Sequence, residues 1–355
     1  MSESGGSTVN TGDRVLVTGA AGFIGSSLVR QLRSRGAHVV AMVEPGGDRA
    51  NLDGLDVESV DADLRNADAV SKAADGCRLV FHVAALYRFW ARDPATFYDV
   101  NVTGTRNVLD AARRGGCERL VYTSTVGTLG VNGASTRSPV DETSYAHVDH
   151  LFGSYKQSKY VAEHEVLRAA AEGLPVVLVQ PTMPVGPGDR GPTPTGRTVI
   201  EFLNGRIPGY VDTTLNIVDV EDVARGHVLA VERGGAGRSY ILGGENLALR
   251  HVLALLAEVS GLRAPTRQFP GAVALGAAQL SELVEGRLLR RQPTLPLEAV
   301  RMSTTHMSFD DHRARSELGY TSRPPKEALE RAARWFVESG YVRADRATRI
   351  RWEHR

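Results

Sequence analysis

Tyr155 and Lys159 stand four residues apart in the segment YKQSK. On a helix that spacing puts both side chains on one face, one turn apart. A free phenol has a pKa of about 10 and is a poor base at neutral pH. A neighbouring ammonium favours the phenolate and makes Tyr155 an acid/base suited to the proton of a carbinol. The chain has four lysines, Lys72, Lys156, Lys159 and Lys326, and two of them fall in this pentapeptide. A generic solvated lysine face does not explain that concentration. Upstream lies TSTVGTLG, Thr123–Gly130. A hydroxyl from this segment can hydrogen-bond a substrate oxygen held beside Tyr155.

A second constellation suits phosphate. Thr18–Gly25 reads TGAAGFIG, with Gly19, Gly22 and Gly25 three residues apart. The first glycine allows a tight turn, the second a close approach of backbone to a pyrophosphate, and the third close packing of helix on strand. Phe23 and Ile24 open a helix whose free N–H groups and positive dipole face the phosphates. Together with Tyr155 this points to hydride transfer with a nicotinamide dinucleotide, whose positive ring would also favour the phenolate. Glu44 ends the next apolar run, HVVAMV. A carboxylate there accepts hydrogen bonds from ribose hydroxyls and repels a 2′-phosphate. NAD is therefore the expected cofactor, with NADP the alternative that the nearby Arg49 leaves open. Asp63 and Leu64, in DADL, are candidates for the adenine contact; a turn or N-cap aspartate is the other reading of Asp63.

The elements around these motifs follow from patterning. Short apolar runs at Arg14–Thr18, His38–Val43, 57–60, 79–84, 120–124 and 175–180 read as buried strands. Helical spacing fills Phe23–Arg35, Ala67–Ala74, 94–114 and 155–171 between them. Strands separated by helices mean parallel pairing, so the fold class is α/β, a doubly wound parallel sheet. Residues 13–180 form the nucleotide-binding domain, with a return segment over 216–239. The Pro/Gly-dense stretch after Pro181 leaves it. A smaller, mostly helical substrate lobe takes 181–215 and 240–342. Residues 1–12 read as a disordered tail, and 343–355 as a solvated, Arg-rich helical one, with contact to acidic lipid as its minor reading. Length is 355 residues, with 42% hydrophobic and 23% charged residues, ordinary for a chain that buries a core. Lys plus Arg number 42 against 41 Asp plus Glu, so no electrostatic case exists for a nucleic-acid partner. Cys77 and Cys117 make no disulfide framework and match no metal site. No apolar run is long enough to span a membrane, and no signal core precedes the first strand, so the expected location is the cytoplasm.

Jointly these motifs, in this order, resemble the extended short-chain dehydrogenase/reductases, over Arg14 to about Tyr341. HVAA (82–85), NVTGTRNVL (101–109) and VDVEDVARGH (218–227) complete the pattern. RFWARDP, PTPTGR, FLNGRIPGYVDT and YILGGENL resemble the hopanoid-associated sugar epimerases, and the UDP-glucose and UDP-glucuronate 4-epimerases share the broader pattern. The resemblance implies that Tyr155 is the catalytic base and that Lys159 orients the nicotinamide ribose. It puts the catalytic hydroxyl on Thr125 with Ser124 beside it, and implies cofactor contacts from Ala84, Ala85, Asn101, Thr123 and Pro181. It implies a homodimer through the helices 94–114 and 155–171. Arg190 stands where uronate epimerases place a carboxylate-binding arginine, whose fork of donors suits that group. Arg197, Tyr87 and Arg88 are weaker pocket candidates. Departures stand at Met183, where the family has asparagine, at Leu129 before Gly130, and at Leu215. These positions commonly serve the nucleotide diphosphate. No acid follows Thr125 directly, which disfavours dehydratase and decarboxylase chemistry. The resulting expectation is an NAD-dependent 4-epimerase of a UDP-hexose or UDP-hexuronate, working through a 4-keto sugar. An NAD(P)H-dependent ketone reductase of the dihydroflavonol-reductase type is the alternative; the resemblance implies NADPH and an arginine at the position of Glu44 for that type, so Glu44 favours the epimerase. A catalytically dead dinucleotide sensor fits least, because the Tyr/Lys pair is present.

Overall fold

Val15 and Val17 of the run Arg14–Thr18 (β1) join one hydrophobic core, and Leu16 between them joins another. A strand covered on both faces has no polar side, so its sequence is continuously apolar rather than alternating. His38–Val43 (β2) repeats the pattern: Val39, Ala41 and Val43 go to the first core, Val40 and Met42 to the second. The computed structural model describes residues 7–88, 90–130, 138–288, 297, 300–301 and 306–352.

Glu58–Asp61 (β3), Leu79–His82 (β4), Arg119–Thr123 (β5), Val176–Pro181 (β6) and Ser239–Leu242 (β10) complete a seven-stranded sheet, ordered β10-β6-β5-β4-β1-β2-β3. Every pairing in it is parallel. The strand order reverses between β1 and β4, and the crevice outside the carboxyl ends there is where open α/β sheets bind ligands. Phe23–Ser34 (α1) and Val220–Arg233 (α7) pack together over the first core. Ala67–Ala74 (α2), Gly104–Arg114 (α4) and Ser154–Ala171 (α5) cover the second.

Three segments differ from the sequence reading. The helix expected over 94–114 is a turn at Ala95–Tyr98 (α3), a π-helical stretch at Asp99–Thr103, and then α4. Beyond the two-residue strand Tyr210–Val211 (β8), Thr214–Asp219 (β9) pairs with Met183–Val185 (β7) and Glu245–Ala248 (β11) in a separate small sheet, so the strand expected to return to the main domain does not. The returning strand is β10, at the point where the lobe was expected to begin. Its four residues are too short a run to show a period.

The lobe core gathers Val199 and Leu203 from Pro194–Leu203 (α6) with Leu253 and Leu256 from Leu249–Ser260 (α8). Leu329 and Phe336 join them from the helix Pro325–Glu338. Both termini are packed where they are described. Residues 1–6 of the tail expected to be disordered lie outside the described residues. From Ser7 the chain is ordered: the Ser7 amide donates to Val231 O at 3.2 Å, and Val9 is buried in the first core. At the other end, Arg351 N donates to Ser260 O at 2.8 Å, Ile350 is buried, and Trp352 lies under the Arg334 guanidinium. Residues 343–352 are therefore anchored to the lobe through Ala347, Ile350 and Trp352, while Arg343, Ala344, Asp345, Thr348, Arg349 and Arg351 stay exposed.

Candidate active site

The turn between β1 and α1 is shaped for a close visitor. Gly19 has φ +65°, and a Cβ on it would lie 2.8 Å from Ala84 Cα. A Cβ on Gly25 would fall 2.1 Å from Gly19 O. No side chain caps α1, and its first turn carries no acidic residue. Its orphan N–H groups are left for an anion. Behind this turn, Thr18 Oγ1 accepts from Val83 N at 3.2 Å and Ala84 N at 3.1 Å and meets His82 Nδ1 at 2.8 Å. His82 Nε2 meets Thr105 Oγ1 at 3.0 Å. Burial, with the Lys159 charge beside it, pushes His82 down to about 3, so its ring is neutral.

A cleft of about 370 Å³ opens at this switch point. Among the cofactor candidates Gly19, Gly22, Phe23, Ile24, Gly25, Glu44, Ala84, Ala85, Thr123 and Pro181 line it. Glu44 and Asp48 line it, Asp48 paired with Arg190, whereas Arg49 is committed to Asp61 and Ser59. The glycine cradle and Glu44 fit a dinucleotide with a free 2′-hydroxyl. Asp63 and Leu64 do not line the cleft. Asp63 pairs with Arg65, which holds its carboxyl below the usual range, and Leu64 is buried against Gly104. Asn101 also stands behind the wall. Its Oδ1 accepts from Leu86 N at 2.7 Å and its Nδ2 donates to Ser158 Oγ at 2.9 Å, tying the 83–87 loop to α5.

Tyr155 and Lys159 line the inner part of the cleft with Ser124 and Thr125. Lys159 is 2% exposed. Its Nζ donates to Tyr122 OH and to Thr123 O, each at 2.8 Å, and sits 4.4 Å from the Tyr122 ring centre. Burial pushes its ammonium down to about 7, and the Glu163 carboxylate opposes that shift. The Tyr87 ring stands 4.9 Å from that of Tyr155. Thr125 Oγ1 accepts from Gly127 N at 3.1 Å. Thr123 Oγ1 meets His227 Nε2 at 2.8 Å, and burial pushes that imidazole down to about 4.

Glu163 was missed in the sequence. It is buried, one turn beyond Lys159 on the same helix face, and its Oε2 accepts from Ser124 Oγ and from Thr128 Oγ1. The continuation of the i, i+4 series was the signal: 155, 159, 163.

On the substrate side the cleft continues into a recess of about 80 Å³ lined by Val126, Met183, Pro194, Met307 and Phe309. Tyr155 and Thr125 also open onto it, and Lys156 is the charged residue of its described lining. The arginines expected to hold a sugar substrate stand elsewhere. Arg190 lines a different hollow, beside Arg30 and Trp335, and its Nε pairs with Asp48 at 2.7 Å. Arg197 is exposed and donates to Pro192 O, and Arg88 is exposed; neither lines the cleft or the recess.

The model of the NAD dependent epimerase/dehydratase family matches residues 15–243. The chain belongs to that family. This family member is 43% identical to a putative dihydroflavonol 4-reductase of Synechocystis, over 93% of this chain and 96% of that one. It is 35% identical to sterol demethylase protein B of Methylococcus capsulatus, over 92% of this chain and 99% of that one. Among solved structures, a nucleoside-diphosphate-sugar epimerase from Pseudomonas aeruginosa superposes with a TM-score of 0.77 at 26% identity, covering 93% of this chain and 99% of its own. The cofactor of this family is NAD, and the glycine cradle and Glu44 fit it.

Proposed function

We propose that the chain is an oxidoreductase that interconverts a secondary alcohol and a ketone on an apolar substrate, with NAD as hydride partner. One observation carries this reading. Tyr155 and Thr125 open onto a recess in which Val126, Met183, Pro184, Pro194, Met307 and Phe309 supply the apolar surface beside Thr182, Thr193, Thr195 and Lys156, and Arg88, Arg190 and Arg197 lie outside it. One relative is named a putative dihydroflavonol 4-reductase and another sterol demethylase protein B, and both names concern polycyclic ring systems rather than nucleotide sugars.

NAD supplies the acceptor or donor of hydride at its nicotinamide ring. The chain does the rest. In reduction, Tyr155 would give its phenolic proton to the substrate oxygen; in the reverse direction the phenolate would take that proton back. Lys159 lies one helical turn from Tyr155 with its Nζ on Tyr122 OH and Thr123 O, and in its charged form it would lower the cost of the phenolate. Thr125 donates to the same oxygen and so stabilises the charge that develops on it. Phe23, Ile24 and the three glycines would hold the pyrophosphate, and Glu44 the adenosine ribose.

The test is a homologous series of aryl alkyl ketones assayed with NADH. With an apolar recess, kcat/KM should rise about fourfold per buried methylene, from about 0.8 kcal/mol each. Tyr155→Phe should lose turnover by about 10²–10⁴-fold while retaining NAD affinity, the range for removing a general acid.

The second reading is the nucleotide-sugar 4-epimerase, favoured by the 26% identity to the Pseudomonas structure. Isomerisation of UDP-glucose or UDP-glucuronate on purified protein, without build-up of NADH, would establish it and remove the reductase. A cytoplasmic homodimer through α4 and α5 belongs to both readings, and sedimentation at twice the chain mass would support it.

A further inference from the structure

Three hydroxyl-bearing residues end β5, and the catalytic step needs one hydroxyl that can donate. Each hydroxyl has a single proton, and where that proton goes decides its role. Ser124 Oγ lies in the cleft wall and is hydrogen-bonded to Glu163 Oε2 behind it. Thr128 Oγ1 approaches the same carboxylate oxygen at 2.9 Å, and Gln180 Nε2 lies 3.3 Å from the other one. The single Thr128 proton also has a closer acceptor in Thr125 O at 2.8 Å, whereas the Ser124 hydroxyl is directed at Glu163 Oε2, which makes Ser124 the donor of that pair. The Thr125 hydroxyl is arranged the other way. It accepts from Gly127 N, so its proton is turned away from the backbone. Thr123 Oγ1 is engaged with His227.

We propose that Glu163 is a positioning residue that divides the work at the end of β5. It draws the Ser124 proton out of the cleft, so that Ser124 offers only lone pairs and Thr125 alone donates to the substrate oxygen. This rests on the hydride-transfer reading above. The charged and titratable groups facing Glu163 are Lys159 on its own helix and Tyr122 on β5; Tyr155 lies one turn beyond Lys159. Gln180 on β6 and Thr128 after β5 are its neutral neighbours. The arrangement also forecasts the Glu163→Gln variant. Its oxygen meets Gln180 Nε2 and its amide nitrogen faces Ser124. Ser124 then accepts, and its proton is released toward the cleft.

The experiment is a double-mutant cycle on propiophenone reduction by NADH, read as kcat and KM separately. With Glu163 present, Thr125→Val should lower kcat about 10²–10³-fold, the loss typical of one oxyanion donor. Ser124→Ala should stay within threefold. In the Glu163→Gln background Thr125→Val should cost tenfold or less, because Ser124 replaces it. Losses that multiply independently, or a Ser124→Ala loss as large as that of Thr125→Val, overturn the proposal. Neutron diffraction on the deuterated protein gives a readout that needs neither turnover nor a foldable variant. The deuteron on the Ser124–Glu163 line should belong to Ser124, with that of Thr125 turned to the cleft; a Ser124 deuteron pointing into the cleft overturns the assignment. Full turnover by Tyr155→Phe would instead overturn the hydride-transfer reading and leave the neutron result to judge Glu163.

Discussion

Lys159 sits where burial and function pull against each other. Its ammonium is pushed down to about 7 by burial, while Glu163 favours the charged form. With ε-carbon labelling, the four lysines give four resonances, and one should titrate near pH 7. Glu163→Gln should move that midpoint lower, since the opposing charge is gone. A spectrum in which every lysine titrates near the ordinary value of about 10.4 would contradict the burial of the pair. The sign for stability follows. Between pH 7 and the unfolded value the unfolded chain binds more protons than the folded one, so this lysine makes stability rise with pH across that window. Tyr155 and Lys159 were legible because their relation is a single helical turn. Glu163 belongs to the same series, but its partner Ser124 lies 39 residues away in sequence, and no local spacing reports that contact.

At the scale of elements, the crevice depends on how closely β1, α1 and β4 approach. Gly25→Ala would set a Cβ 2.1 Å from Gly19 O, so the turn must open. A loss of about 1–3 kcal/mol in stability is the usual cost of such overpacking, and NAD affinity should fall with it. Calorimetric titration with NAD checks the second part. The ends of β4 and β5 are held by His82 and His227, pushed to about 3 and about 4 by burial. Both stay neutral in the fold while the unfolded chain takes up protons below about pH 6.5. Stability should therefore fall as pH drops from 6.5 toward 4, and urea midpoints at pH 7.5 and pH 5 should show it. A flat profile would mean that these imidazoles are hydrated rather than buried. The strands were readable because both faces of the sheet are covered, which makes each one an apolar run. The π-helical stretch at Asp99–Thr103 was not, since its extra residue per turn leaves the apolar spacing of 94–114 still looking helical.

At the scale of the molecule, the lobe is bound to the nucleotide domain through α7. Asp219 is fully buried, caps α7 by accepting from Glu221 N at 2.8 Å, and pairs with Arg331 of the helix Pro325–Glu338 at 2.9 Å. Asp219→Ala removes a cap and leaves Arg331 without that carboxylate. A loss of about 2–4 kcal/mol is expected, measured as a fall in the urea midpoint. A change below about 0.5 kcal/mol, the range of surface substitutions, would show that this junction does not hold the lobe. The sequence by itself determined the alternation of strands and helices, the glycine cradle, the carboxylate at the end of β2 and the shared face of Tyr155 and Lys159. Each is a local relation, set by backbone sterics and by the periods of strand and helix. Tertiary structure decided the rest. It sent β10, not β9, back to the main sheet, set Arg190 in a neighbouring hollow and paired it with Asp48, and placed Glu163 behind Ser124. Those contacts join segments far apart in the chain, and which of them meet depends on how the whole sheet and its helices pack.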